Sequence, residues 1–232
     1  MGEQFSVDLD GDLVPVTVRR NSQAKRLILR VDRATGEVKL TLPKHVGARA
    51  AEKFISKQRA WIAKERAALE PQHVLCDGAA LYFLGQKHRI VFTGCAPRTV
   101  KRVGDEIQVG GPADMAAKRL ENWLRREAKA VLSDRAGLHA ETLDLDYNRI
   151  SIGDMKSRWG SCSSRGTLRF SWRLVMAPFD VMDYVAAHEV AHLREMNHSD
   201  RFWAEVAKCV PEHRKLRRWL KTEGNALFNV RF

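Results

Sequence analysis

Alternation of apolar and polar positions marks the first forty residues. It runs through LVPVTVRR, RLILRVD and EVKLTLP, with turn signals at Asn21-Ser22 and Thr35-Gly36, and predicts strands across residues 5–43. The period then changes. From Val46 to Leu69, positions Ala50, Phe54, Ile55, Trp61 and Ile62 recur near helical spacing. A second alternating group follows in ALYFLG, KHRIVFTG, TVKRVG and EIQVGG, each ending at glycine. Together these segments predict a β-rich N-terminal accessory region over residues 1–111, with no exact internal repeat.

Beyond Gly110-Gly111-Pro112 the pattern becomes mostly helical. Leu120, Trp123, Leu124, Ala128 and Leu132 share one face of a helix predicted from Ala113 to about Ala136. The segment NRISIGDMKSRWGSCSSRGTLRFSWRLV reads as two strands, a glycine turn and a third strand. Three further helices are predicted, over Pro178–Glu195, Ser199–Cys209 and Pro211–Glu223. Pro178 and Pro211 suit a first helical turn, and Ser199 or Asp200 caps the middle helix. A helix, a small sheet and more helices predict an α+β domain over residues 112–232.

The first of these helices carries the chemistry. His188 and His192 are four residues apart, so both imidazoles leave one face, one turn apart, and can reach one ion. Glu189 lies about 100° around the helix, where it reaches a water on that ion without ligating it. This is the H-E-x-x-H arrangement of two metal ligands and a general base. A catalytic zinc needs a third protein ligand and an open position. His198 is the leading candidate, if Asn197 ends the helix in the left-handed conformation and the chain turns back. Glu195, Glu205 and Glu212 are the alternatives, although Glu195 lies about 10 Å along the helix from His188. The predicted cofactor is one Zn2+ per chain, and the predicted reaction is hydrolysis of an uncharged amide, with Glu189 moving the proton.

Composition narrows the setting. The 232 residues, 44% of them hydrophobic, can bury a core, and no apolar run is long enough for a membrane span. The N-terminal MGEQFSVDLDGD lacks the pattern of a secretory signal. Cys76, Cys95, Cys162 and Cys209 form no C-x-x-C pair, which predicts reduced thiols and a cytoplasmic location. The net charge of +12 concentrates in two predicted helices, 118–135 and 208–221, making nucleic acid a candidate partner beside a peptide or protein substrate. Between Pro178 and Ala207, six acids face two arginines, so the histidine segment lies outside the basic stretches.

The run MKSRWGSCSSRGTLRFSWRLVMAPFDVMDYVAAHEVAHLREMNHSDRFW resembles the YgjP-like metallopeptidase domain, a relative of the SprT-like and WLM zinc-peptidase domains. The likeness is close over residues 150–205 and looser in the preceding strands and long helix. It rests on R-W-G-S-C-S, H-E-x-x-H and N-H-S-x-x-F-W together. It implies a zincin-like core with His188, His192 and His198 on zinc and Glu189 as base. It also implies that the strand around Arg158, Trp159, Gly160 and Ser161 is a sheet edge above the metal. A substrate chain can pair with such an edge through its backbone, making these four the candidate substrate-binding residues. Trp159 also reads as a core aromatic, and Arg158 as an oxyanion or carboxylate partner or a structural ion pair. Tyr184 reads as packing, Phe202 and Trp203 as anchors for the helix behind His198, and His213 as a surface group. His45, His73, His88 and His139 stand alone. Metzincins share the histidine spacing but need glycine where this chain has Glu195, so the chain is not read as one. The competing function is a DNA-associated protease, or a nucleic-acid-binding protein with a non-catalytic zinc.

Overall fold

The computed structural model describes residues 4–9, 11–32, 35–67, 73–155 and 158–232. Contacts divide the chain into two units, Met1–Gln72 and His73–Phe232. In the first, β1 (Gln4–Leu9), β2 (Asp12–Arg20), β3 (Ile28–Val31) and β4 (Val38–Leu42) form a sheet in the order β1-β2-β4-β3. The period of two in β4 puts Val38, Leu40 and Leu42 wholly inside. Ala51 and Ile55 of α1 (Ala48–Lys57) and Ile62 of α2 (Arg59–Ala67) share that core. The helical pattern from Val46 to Leu69 thus forms two helices, separated at Gln58, and residues 68–72 lie outside the described ones.

The second unit opens with β5 (His73–Val74) and a sheet of β6 (Ala80–Phe83), β7 (Gln86–Phe92), β8 (Val100–Val103) and β9 (Glu106–Val109), ordered β6-β7-β9-β8. Its pairings are antiparallel, parallel and antiparallel, the same plan as in the first sheet. The repeat is therefore one of connection, not of sequence.

The division differs from the expected boundary at 111/112, and two contacts give the reason. At the β6–β7 turn, Leu84 and Gly85 both take positive φ, and a Cβ on Gly85 would lie 2.9 Å from the Cα of Pro178. The Leu84 amide donates to the Val175 carbonyl at 2.7 Å. Leu81, Ile90 and Ile107 accordingly join the core formed by Leu120, Leu124 and Phe170. Alternation revealed the strands, but not which helix would cover them.

α3 (Ala116–Leu143) starts three residues later than expected and runs seven further, ending where Asp144 turns left-handed. Its apolar face continues through Ala136, Ala140 and Leu143. β10 (Arg149–Gly153), β11 (Gly160–Cys162) and β12 (Thr167–Ser171) follow, ordered β10-β12-β11. Then come α4 (Phe179–Ala191), α5 (Asp200–Cys209), α6 (His213–Thr222) and the short α7 (Gly224–Leu227). β13 (Val230–Arg231) pairs in parallel with β5, so the end of the chain closes on the start of the unit. The fold is α+β. Among the described residues, no helix is long and apolar enough to cross a membrane. The four cysteines are free; Cys162 and Cys209 are half-buried, whereas Cys76 and Cys95 are exposed.

α3 and α4 are joined by a polar clamp. Arg135 Nε donates to Asp183 Oδ1 at 2.6 Å, and His139 Nε2 lies 2.6 Å from the same oxygen. His139, which stands alone in the sequence, is buried at 2% exposure and belongs to this clamp. Burial of Asp183 favours its neutral form, yet the hydrogen bonds from His139 and Arg135 outweigh this and hold the carboxyl below its ordinary range. Asp183→Asn should therefore lower unfolding free energy by roughly 1–3 kcal/mol near neutral pH. Because the folded-state value is depressed, the contribution is complete above the ordinary carboxylate range. It is lost as pH falls through the folded-state value. Urea unfolding of both proteins from neutral to acid pH should show the gap closing; a constant gap would remove charge from the explanation.

Candidate metal centre

Sequence places His188 in the last turn of α4 and His192 at its C-terminal cap, so one helical turn separates their side chains. The helix ends at Ala191, four residues earlier than expected. The Leu193 and Arg194 amides bond back to the Val190 and Ala191 carbonyls at 2.9 and 3.1 Å, tightening the exit. The expected left-handed Asn197 is not found: among the described residues, the non-glycine ones with positive φ are Leu84 and Asp144. The turn is instead spread over residues 192–198. Ser199 then caps α5, its hydroxyl accepting from the Phe202 amide at 3.4 Å, which fixes the backbone directly beside His198.

The three rings converge. Their centroids are 4.8–5.0 Å apart, and their candidate ligand atoms all lie within 4.8 Å of one another. His188 Nε2 and His198 Nε2 are 3.1 Å apart. Two nitrogens bound to one tetrahedral zinc stand roughly 3.3 Å apart, given bonds of about 2.0–2.1 Å. Phe202, wholly buried, packs on all three rings with centroid distances of 4.4–4.8 Å. Trp203 lies 5.9 Å from His188 and 5.7 Å from His198.

The remaining donors fit a cation. His192 Nδ1 is 3.0 Å from the Glu195 carbonyl. A carbonyl only accepts, so the proton sits on Nδ1 and the Nε2 lone pair is free. The backbone of Glu195 thus supports the site where its side chain was considered as a ligand. Burial, followed by the neighbouring His192 and His198, pushes His188 down to about 3, which keeps it a neutral donor. Burial also lowers His192. His188 Nδ1 is buried with no hydrogen-bond partner. Three convergent imidazoles are a donor set that suits zinc.

The alternative ligands lie outside the cluster. Glu205 pairs with Arg194 and Lys208, each at 2.8 Å, and Glu212 is exposed and outside the cluster.

Glu189 is buried at 5% exposure beside the histidines, and β11 is shaped around it. A Cβ on Gly160 would lie 2.5 Å from Glu189 Oε1, so only glycine leaves the carboxyl its place. Burial raises this carboxyl to about 8, while the Arg158 charge acts in the opposite direction. Arg158 itself is exposed and makes no ion pair among the described residues. Trp159 stacks on Phe228 at 4.2 Å and abuts Gly224, which is the packing role. Tyr184 is buried and meets the His188 ring edge-on at 5.9 Å.

β11 pairs with β12 on one side and with no other strand among the described residues. The Ser171 amide bonds to the Trp159 carbonyl, and the Ser163 amide to the Thr167 carbonyl. By antiparallel alternation, Ser161 also bonds inward, while Gly160 and Cys162 turn their N–H and C=O groups to the free edge. A recess of about 550 Å³ adjoins His192, with Leu145, Tyr147, Leu193 and Met196 as apolar walls and Ser163 to Gly166 at its rim.

The charged stretches divide. On α3, Lys118 and Arg125 pair with Glu121, and Arg135 with Asp183. On α6, Arg214, Lys215, Arg217, Arg218 and Lys221 are exposed and form no ion pair among the described residues. His213, expected at the surface, is buried and stacks on Trp203 at 5.6 Å. Its spacing with Leu216 and Leu220 was the available signal. Arg173 carried no such signal. It is 5% exposed, pairs with Asp154, and donates to the Val230 carbonyl at 3.3 Å, anchoring the C-terminal strand.

Among solved structures, the metallopeptidase zymogen of Pyrococcus abyssi abylysin is similar over 40% of this chain and 95% of its own, with 25% identity and a TM-score of 0.36. No curated protein matches. The model of the YgjP-like, metallopeptidase domain family matches residues 25–223, well beyond the 150–205 where the likeness is most legible, and so takes in both units. The chain therefore belongs to the YgjP-like metallopeptidase domain family.

Proposed function

We propose that the chain is a zinc-dependent peptidase in which His188, His192 and His198 hold one metal ion and Glu189 is the general base. The observation that carries this reading is the convergence of three imidazoles beside a buried carboxyl for which Gly160 leaves space. Bound there, zinc would supply Lewis acidity toward a scissile carbonyl and lower the pKa of water at its open position.

The chain's own residues do the rest. Glu189 accepts a proton from the attacking water and returns it to the leaving amine. Burial, opposed by the Arg158 charge, leaves its carboxyl at about 8, and a cation held by the histidines would draw it down toward the range of a working base. The Glu195 carbonyl holds the His192 ring, and Phe202 limits the rotation of all three rings. An extended peptide adds to the free edge of β11 through the backbones of Gly160 and Cys162. Arg158 stands beside the scissile group as the counter-charge for a developing oxyanion. Trp159 supports this strand from behind and Ser161 pairs it to β12, so neither needs to touch substrate. The recess beside His192 takes an apolar side chain.

Metal analysis of purified protein should find about one zinc per chain. Glu189→Gln should retain that zinc and lose roughly 10²–10⁴-fold in peptide cleavage, whereas His198→Ala should lose the metal. A protein without metal affinity, or a fully active Glu189→Gln variant, would sink the assignment.

Gly160→Ala should displace the Glu189 carboxyl and lower kcat at least about tenfold, with zinc content and thermal stability close to wild type. Undiminished kcat would mean that the close approach of β11 does not set the position of the base.

A further inference from the structure

The five exposed cations of α6 meet the candidate site at one position. Arg217 lies over Trp203, with Cζ 4.6 Å from the ring centroid. The same indole stands 5.9 Å from the His188 ring and 5.7 Å from the His198 ring, and its other neighbours, Phe202 and His213, are buried. Trp203 therefore bridges the guanidinium and the metal-binding rings. α6 also packs on α4, and the Arg217 charge is felt by both His188 and Tyr184.

A cation in this place needs a reason. It repels a metal ion held by the histidines, and no carboxylate of the described chain neutralises it. On α3, by comparison, Lys118, Arg125 and Arg135 have acidic partners, whereas the exposed Arg126 and Lys129 have none among the described residues. The indole face offers no oxygen acceptor, and Arg217 has no hydrogen-bond or ion-pair partner among the described residues, so its N–H groups are available. The planar guanidinium fork matches the two oxygens of a carboxylate. Arg214, Arg218 and Lys221 surround it with positive potential and no competing acid. An anionic group on the substrate would balance both charges.

We propose that Arg217 is a specificity-determining residue that binds a carboxylate of the peptide substrate, so that this chain favours peptides bearing negative charge near the scissile bond. The inference rests on the peptidase reading above and adds the substrate class. The carboxylate can come from an acidic side chain or from the C-terminus of the peptide, and matched peptides separate the two sources.

The test uses the full zinc-loaded chain and one cleavable peptide in matched forms. One series replaces Glu by Gln at successive positions around the cleavage point, and the other carries either a free or an amidated C-terminus. The charged form should be preferred about tenfold to a hundredfold in kcat/KM. The series that shows the preference identifies the source. Binding to the Glu189→Gln protein, followed by fluorescence anisotropy, should show the same preference in Kd without turnover.

Arg217→Gln should erase the preference, and Arg217→Glu should turn it toward peptides carrying lysine, which a purely structural role of Arg217 would not produce. Lys215→Gln, some 200° around the helix, should leave it unchanged. Equal use of charged and neutral peptides by the wild type, or a preference that survives Arg217→Gln, overturns the proposal while leaving the peptidase reading intact. Neither binding nor cleavage of any peptide by the zinc-loaded protein removes both.

Discussion

Everything at the candidate site depends on the packing of three imidazole rings around Phe202. An isolated H-E-x-x-H helix presents two rings on one face, but those rings remain free to rotate. Here the Phe202 side chain, wholly buried in α5, touches all three, and the Ser199 cap fixes the start of that helix next to His198. The position of the third ring therefore comes from the hydrophobic burial of its neighbour. A cluster held by core packing loses little conformational freedom when a ligand arrives, which is the physical content of preorganisation.

The same economy of space governs the carboxyl. Glu189 is on the helix face that meets β11, and its burial raises the carboxyl far above the ordinary range. Such a group stays in place only if nothing else fills its volume, and the strand meets this condition with glycine. One residue in β11 thus joins two properties. It leaves room for the Glu189 carboxyl, and its backbone faces the open edge of the strand. Glu189 and the free edge are consequently parts of one geometric arrangement.

Charge is distributed unevenly around this core. α3 pairs Lys118, Arg125 and Arg135 with carboxylates, most firmly in the clamp of Arg135 and His139 on Asp183 that ties it to α4. α6 leaves its cations in solvent, and Arg217 brings one of them to the indole beside the histidines. The overall net charge of +12 conceals this difference. A total describes the attraction of a molecule for polyanions in general, whereas partners decide which cations remain available.

Local periodicity was enough to reveal most strands, most helices, and the pairing of His188 with His192, because each depends on residues a few positions apart, whereas the two-residue β5 and β13 left no such pattern. His198 was legible as a candidate but not its route, since the turn from His192 uses spread backbone hydrogen bonds in place of a left-handed Asn197. The division of the chain followed the same logic. Alternation identified β6 to β9 but could not tell that their hairpin docks on Pro178, a contact across more than ninety residues of sequence. His139, Arg173 and His213 were overlooked because a buried polar residue is defined by partners distant in sequence. Sequence by itself determined which side chains were candidates to hold a metal and move a proton. Tertiary structure alone decided where those side chains meet, because long-range packing sets the distances on which ligation and proton transfer depend.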